Sequence, residues 1–498
     1  MKQYILVLDE GTTSTRAMLF DTDGKIHGTV QEELTQHYPK AGWVEHDAAE
    51  IWDKTLACAK AAIEQAGGSD NIACIGITNQ RETVVAWDRK TGEPLTRAIV
   101  WQDRRTEELC KQLRDGGHLQ DVQQRTGLLL DPYFSGTKMR WMLENVDAVR
   151  DAAAAGTLAF GTIESWLTFK LTGGGDGGVH ISDASNASRT MLMELGPQSA
   201  DRSHFDSALC DLLGVPHAAL PRVVDNAGEL AVASVDVLGK AIPVTGMAGD
   251  QQSATIGQGC LEPGETKATY GTGAFVLANK GAEIPASDNR MLGTVLCQLD
   301  GKRTYALEGS VFVAGSFIQW LRDALGLFTE SSETEELARS VDDTGGVTIV
   351  PALSGLGAPH WRAEARGVIT GLSFATGKAE IARAALEAMA HQTYDLSEAF
   401  TADGAKWASL RIDGGMSAND WMAQDIANML GLTVERPDNV ETTALGTAML
   451  AATGAGLYPD LASAAKAMRG GHQTFTPTMD DDVREQRLAR WRAALSAA

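Results

Sequence analysis

The chain has 498 residues, 44% of them hydrophobic and 22% charged, and carries a formal net charge of −22. That length exceeds what one hydrophobic core serves, so two domains with a cleft between them are expected. The acidic surplus argues against nucleic acid or an anionic membrane as partner, since both need a basic surface to displace counterions from phosphate.

Six cysteines are scattered singly, with no C-x-x-C pair, and are expected to be reduced core thiols. The opening apolar run ends at once at Asp9 and Glu10, unlike a signal peptide, and no stretch has the unbroken apolar length that crosses a bilayer. A cytoplasmic protein without membrane insertion is expected.

In chain order, residues 5–8 and 17–20 read as strands around Gly11-Thr12-Thr13-Ser14-Thr15, and residues 25–30 follow the turn Asp21-Thr22-Asp23-Gly24. The chain thus opens as a three-stranded meander. Helical patterns cover 48–65, capped by Asp47, and 106–113. A strand at 72–78 ends at Asn79-Gln80-Arg81-Glu82, and another covers 84–87. The glycine-rich tract 173–178 reads as a flexible surface insertion between a helix near Trp166 and a strand near Val179. After a strand at 242–246 comes Ala248-Gly249-Asp250-Gln251-Gln252. From Thr266 the opening pattern returns: a strand, Tyr270-Gly271-Thr272-Gly273, and a strand at 274–277. Two such turns, one in each half, suggest a duplicated domain with units at 1–254 and 255–498. A strand at 347–350, a long helix at 379–400, a strand at 410–412 and a small-residue helix at 443–454 complete an α/β pattern.

Loops of glycine and hydroxyl residues expose backbone N–H groups that phosphate oxygens need. Gly11–Thr15 and Gly271–Gly273 both qualify, although either alone also reads as a hairpin turn. No G-x-x-x-x-G-K-[ST] occurs, which rules out a P-loop enzyme. Asp9, at the end of a buried strand beside the first loop, is costly without a cation and is a candidate outer ligand for Mg²⁺. Arg16 is a candidate contact to a nucleotide. Asp413-Gly414-Gly415 stands between a strand and a helix, and reads either as a nucleotide cradle or as a simple turn with Ser417 as helix cap. The segment Gly415-Met416-Ser417-Ala418-Asn419 is one glycine short of a hydrolase nucleophile elbow, and the late histidine, His472, reads as an exposed loop residue.

Asp250 suits a general base for an alcohol, with a helix N-cap as the alternative. Arg81-Glu82 offers a fork of donors beside an acceptor, suited to vicinal hydroxyls, or else a surface ion pair. Trp101 and Phe275 are core residues by default, yet aromatic rings could also cover the C–H face of a polyol.

Taken in order, these segments resemble the glycerol kinases of the FGGY carbohydrate-kinase family, over essentially the whole chain. The landmarks are Asp9-Glu10-Gly11-Thr12-Thr13-Ser14-Thr15-Arg16, Gly42-Trp43-Val44-Glu45-His46-Asp47, Asn79-Gln80-Arg81-Glu82-Thr83 and Trp101-Gln102-Asp103-Arg104-Arg105. Asp131-Pro132-Tyr133-Phe134-Ser135-Gly136-Thr137-Lys138, Gly249-Asp250-Gln251-Gln252, Tyr270-Gly271-Thr272-Gly273 and Asp413-Gly414-Gly415 follow. The resemblance implies two ribonuclease-H-like domains, of the actin and hexokinase ATPase type, flanking a catalytic cleft. It implies transfer of the γ-phosphoryl group of ATP to glycerol with Mg²⁺, and a homo-oligomer, dimer or tetramer. Another polyol or sugar, such as erythritol, is the alternative acceptor.

By the same resemblance Arg81, Glu82, Trp101, Tyr133, Asp250, Gln251 and Phe275 would line the acceptor pocket, with Asp250 as base. Thr12, Thr13, Ser14, Arg16, Thr272, Gly315, Gln319, Gly415 and Asn419 would hold the nucleotide, with Asp9 near Mg²⁺. Gly315 and Gln319 rest on that alignment alone, their stretch reading otherwise as an ordinary buried helix. Two departures stand out. Relatives usually carry glutamine where this chain has Glu10, a carboxylate added beside Asp9. In addition, Val237-Leu238-Gly239-Lys240-Ala241 lacks the arginine with which some bacterial relatives bind a sugar bisphosphate. Fructose 1,6-bisphosphate is therefore expected not to inhibit, and dose-dependent inhibition at physiological concentration would contradict this.

Overall fold

The computed structural model describes residues 3–196, 205–362 and 364–498. Two mixed sheets organise it. The first contains β1 (Tyr4–Glu10), β2 (Ser14–Phe20), β3 (Ile26–Glu33), β4 (Ile72–Asn79), β5 (Ala227–Ala233) and β6 (Ile242–Gly249), in the order β5-β6-β4-β1-β2-β3. β1 pairs antiparallel with β2 and parallel with β4. It is covered on both faces, which is why its sequence is an unbroken apolar run rather than an alternation.

The second sheet contains β7 (Glu265–Tyr270), β8 (Ala274–Gly281), β9 (Leu292–Leu299), β10 (Lys302–Val311), β11 (Ser409–Asp413), β12 (Val434–Pro437) and β13 (His472–Phe475). Its order is β9-β10-β8-β7-β11-β12-β13. Without β9, the pairing directions along β10-β8-β7-β11-β12-β13 repeat those along β3-β2-β1-β4-β6-β5 strand for strand. The expected α/β fold with two ribonuclease-H-like domains is present.

Helix α1 (Ala48–Gln65) starts at Asp47, whose carboxylate accepts from the backbone N–H groups of Ala49 and Glu50, and it covers the face of the first sheet that carries Leu6 and Leu8. The opposite face, with Ile5 and Val7, meets a helix from late in the chain, residues Thr442–Gly454. This alternation decides where the two carboxylates ending β1 go: Asp9 follows Val7, and Glu10 follows Leu8.

Two helices cross between the halves. α2 (Asp250–Gly257) leaves β6 and leads into β7. The helix Thr442–Gly454 leaves the second sheet and returns to the first. They touch backbone to backbone, since a Cβ on Gly257 would lie 2.0 Å from the carbonyl oxygen of Thr442, and one on Gly446 1.9 Å from that of Ser253. The second sheet packs against α3 (Gly315–Asp323) and the long α4 (Lys378–Ala402).

The tract 173–178 differs from its expected form. It holds a tight turn at Gly174–Asp176 with Gly174 buried, and it rests on the 90–92 turn, where a Cβ on Gly175 would lie 2.6 Å from the carbonyl oxygen of Lys90. The next strand begins at Ile181. All six cysteines are buried and unpaired. Among the described residues no helix is long and apolar enough to cross a membrane.

Candidate active site

The turn between β1 and β2 is closed by a hydrogen bond from Gly11 N–H to the Ser14 carbonyl, 2.9 Å long. The N–H groups of Thr12 and Thr13 find no acceptor among the described residues, so they are free for an anion. The Thr12 hydroxyl accepts from Trp101 Nε1 at 3.0 Å, tying this loop to an aromatic wall. Asp9, 5% exposed at the strand end, pairs with Arg16, whose other arm reaches Glu441 at 2.8 Å. Burial outweighs Arg16 and holds the Asp9 carboxyl above its ordinary range.

Beyond β4 the chain makes a three-residue turn, in which Thr83 N–H donates to the Arg81 carbonyl at 2.8 Å and Glu82 takes φ +62°. A non-glycine residue in the left-handed region is strained and persists where its surroundings hold it. Here they do. The Ser135 hydroxyl donates to the Glu82 carbonyl at 3.0 Å, and Arg189 Nε donates to the Glu82 carboxylate at 2.6 Å. Arg81 is fixed from the other half of the chain: Glu308 on β10 accepts from both its terminal nitrogens, at 2.7 and 3.1 Å. Arg189 also reaches Glu308, at 3.3 Å. Two arginines and two glutamates thus alternate in a buried square.

The remaining donors of Arg81 face the pocket. Nη2 meets the Tyr133 hydroxyl at 3.4 Å, and Nε lies 3.5 Å from Asp250 Oδ1. Tyr133 meets Trp101 edge to face, with centroids 5.7 Å apart. The loop that carries Tyr133 is pinned from below by Lys138, whose buried ammonium donates to the carbonyls of Pro132, Tyr133 and Phe134. Arg81, Glu82, Trp101, Tyr133 and Asp250 therefore lie together. Phe275 lies opposite Thr269 on β7 and Ser310 on β10, in the register that puts directly paired side chains on one face.

Asp250 opens α2, and the cap position belongs to Gly249, so it is not the N-cap that its sequence also allowed. Its side chain keeps about a third of its surface exposed. Burial raises its carboxyl above the usual Asp range, against the lowering pull of Arg81 and Lys267.

In the second half, Thr272 and Gly273 N–H groups likewise lack acceptors among the described residues. The Gly271 and Thr272 carbonyls accept from the start of α3, with Gly315 N–H on Gly271 at 2.9 Å. A Cβ on Gly315 would lie 2.6 Å from that carbonyl oxygen and one on Gly414 2.5 Å from the Tyr270 carbonyl oxygen, so the three glycine segments meet. Gln319 stands exposed one turn along α3 on the same side as Gly315. The helix after Gly415 is capped by Asn419, whose side chain accepts from Met422 N–H, and not by Ser417. The Ser417 hydroxyl donates to the Gly414 carbonyl at 2.7 Å, and His472 lies on the exposed strand β13 beside Glu435, so no nucleophile elbow forms.

Residues 4–257 match the N-terminal domain of the FGGY family of carbohydrate kinases, and residues 266–455 its C-terminal domain. The chain belongs to the FGGY carbohydrate-kinase family. A glycerol kinase of Roseobacter denitrificans is 50% identical over 501 residues, covering 99% of each chain. One of Alcanivorax borkumensis is 51% identical over 495 residues, covering 99% of this chain and 98% of its own. Among solved structures, Plasmodium falciparum glycerol kinase with ADP aligns with a TM-score of 0.94 at 35% identity, covering 100% of this chain and 98% of that one. A xylulose kinase of Lactobacillus acidophilus, 22% identical, shares the fold with a TM-score of 0.84.

As an FGGY kinase the protein uses a nucleotide, and its site contains residues that the sequence did not single out. Glu308 and Arg189 carry the buried square, and Lys138 and Lys267 are ammonium groups without surface. Of these only Glu308 carried a signal, a charge among small and apolar residues in Ala306-Leu307-Glu308-Gly309. Both terminal nitrogens of Arg16 are engaged by carboxylates, those of Asp9 and Glu441.

Glu10 points away from this FGGY kinase's cleft. It sits beneath α1, fully buried, where the Thr55 hydroxyl donates to Oε2 at 3.1 Å while Oε1 has no partner among the described residues. Burial pushes its carboxyl from 4.5 up to about 8. Between those values the folded state holds a proton that the unfolded chain releases, so stability falls as pH rises, by about 1.4 kcal/mol per unit. Glu10→Gln should therefore be more stable than the native chain by a margin that widens from pH 5 to pH 8. Thermal melting across that range checks it, and parallel melting curves would contradict it.

Proposed function

We propose that this FGGY kinase transfers the γ-phosphoryl group of ATP to glycerol, giving sn-glycerol 3-phosphate and ADP. The observation that carries the reading is the convergence of Arg81, Glu82, Trp101, Tyr133 and Asp250 from four separate stretches of the first half. The roughly half-identical relatives named glycerol kinases support it.

Arg81 and Glu82 would hold neighbouring hydroxyls as donor and acceptor, while Trp101, Tyr133 and Phe275 cover the C–H face. Gln251 would add a polar contact. Asp250 accepts the proton of the attacking hydroxyl, and the free N–H groups of Thr12, Thr13, Thr272 and Gly273 take up charge on the transferred group. Ser14 would stand with the first loop. Gly315, Gln319, Gly415 and Asn419 would seat the adenosine end, with Arg16 steadying Asp9. Units at 1–254 and 255–498 would close on the pair of substrates and expel water.

Mg²⁺ fits Asp9. Among the described residues no group of three or more His, Cys, Asp or Glu side chains could hold an ion. Mg²⁺ in nucleotide sites typically takes one or two carboxylates and completes its shell with phosphate oxygens and water. Bound there, it would neutralise phosphate charge. A cytoplasmic homo-oligomer belongs to the same reading.

ADP release measured over a panel of polyols and sugars tests the proposal. Glycerol should give the highest kcat/KM. A preference for erythritol or another acceptor would move the assignment within the family, and no ADP with any acceptor would overturn it in favour of a silent nucleotide sensor.

A further inference from the structure

Lys267 lies in the middle of β7, paired with Leu277 on β8 and Arg411 on β11, and is fully buried. Its ammonium donates to Gln251 Oε1 at 2.7 Å and to Thr269 Oγ1 at 2.8 Å. No carboxylate among the described residues is within ion-pair reach of it. Its direct hydrogen bonds therefore go to neutral acceptors, while the carboxylates of Asp413, Asp250 and Glu308 favour its charge from beyond that reach against the cost of burial.

Its two acceptors come from different elements, a helix and a strand. Gln251 is on α2, beside Asp250 and half-buried. Thr269 precedes the second phosphate loop, and its hydroxyl, accepting from Lys267, donates in turn to Asp413 Oδ1 at 2.5 Å. The other oxygen of Asp413 accepts from Gln258 at 2.9 Å and from Thr442 at 2.7 Å. An ammonium group donates and never accepts, so the carboxamide atom facing it must be the oxygen. The NH₂ group of Gln251 is thereby turned the other way.

We propose that Lys267 is a positioning residue for the acceptor, locking the Gln251 carboxamide with its oxygen inward so that its NH₂ is presented to the alcohol. This rests on the placement of Gln251 in the acceptor pocket. Without Lys267 the carboxamide can flip, and the pocket offers donor and acceptor at random.

Steady-state kinetics of Lys267→Met, Gln251→Ala and the double variant test it, with glycerol as acceptor. Lys267→Met should raise KM for glycerol about tenfold, the size of one lost hydrogen bond, and leave KM for ATP unmoved. The double variant should be no worse than the worse single one, because both changes remove the same contact. Lys267→Gln, which keeps an NH₂ donor group, should recover part of the loss, and it carries the same comparison if the methionine variant does not fold. An unmoved KM for glycerol, an equal rise for ATP, or effects that multiply in the double variant would each overturn the inference. A native chain that forms no ADP with glycerol would instead mark failure of the functional reading.

Discussion

Replacing Asp250 with asparagine should lower kcat by about 10²- to 10⁴-fold, the usual contribution of a positioned base. The substitution is a gentle one. Asn keeps the size of the side chain, and its oxygen can still accept the Gln251 N–H that Asp250 Oδ1 holds at 2.7 Å. What it loses is the ability to take a proton. Because burial raises the Asp250 carboxyl against the pull of Arg81 and Lys267, the native enzyme should lose kcat/KM as pH falls, with an acid limb above the ordinary Asp range. In Asp250→Asn that limb should vanish along with most of the rate. A variant with near-normal turnover would remove Asp250 from the chemistry.

Glu308→Gln should be the more damaging change to the protein as a whole. The Glu308 carboxyl is buried, yet Arg189 and Arg81 outweigh that burial and hold it at about 2, so it is ionised throughout the working pH range. Neutralising it leaves two buried guanidinium groups facing one glutamate, and breaking such a pair typically costs about 3–5 kcal/mol. The loss should appear in denaturant unfolding. It should appear again in function, since Glu308 is what aims Arg81 at the pocket: KM for the acceptor should rise at least about tenfold, one lost hydrogen bond's worth. Native stability with a changed KM would mean that Glu308 serves the substrate alone, and an unchanged KM would release Arg81 from its dependence on the second half of the chain.

Strand and helix positions were legible because their signals are local. The meander 5–30, the Asp47 cap and the returning Tyr270-Gly271-Thr272-Gly273 turn need only nearest neighbours, and the helix Ala48–Gln65 has the expected bounds. The pocket residues were legible for a different reason: Arg81-Glu82 and Gly249-Asp250 sit at strand ends, where a polar pair after an apolar run is conspicuous. Illegible were the contacts made across long stretches of chain. Glu308 finds Arg81 at a separation of 227 residues, and no period or spacing encodes that meeting. The tract 173–178 was misread for a related reason, since glycine permits close approach of two backbones as readily as it permits motion. Glu10 shows the opposite case. Strand alternation alone sends it to the face away from Asp9, so the departure from glutamine is a change in the core beneath α1.

A crystal structure with glycerol, ADP and Mg²⁺ bound tests the central claim most directly. The account predicts an acceptor hydroxyl within about 3 Å of the Asp250 carboxylate and aimed at the phosphate end of the nucleotide. Glycerol seated elsewhere, or an Asp250 carboxylate turned away from the shared cleft with both ligands in place, would contradict it.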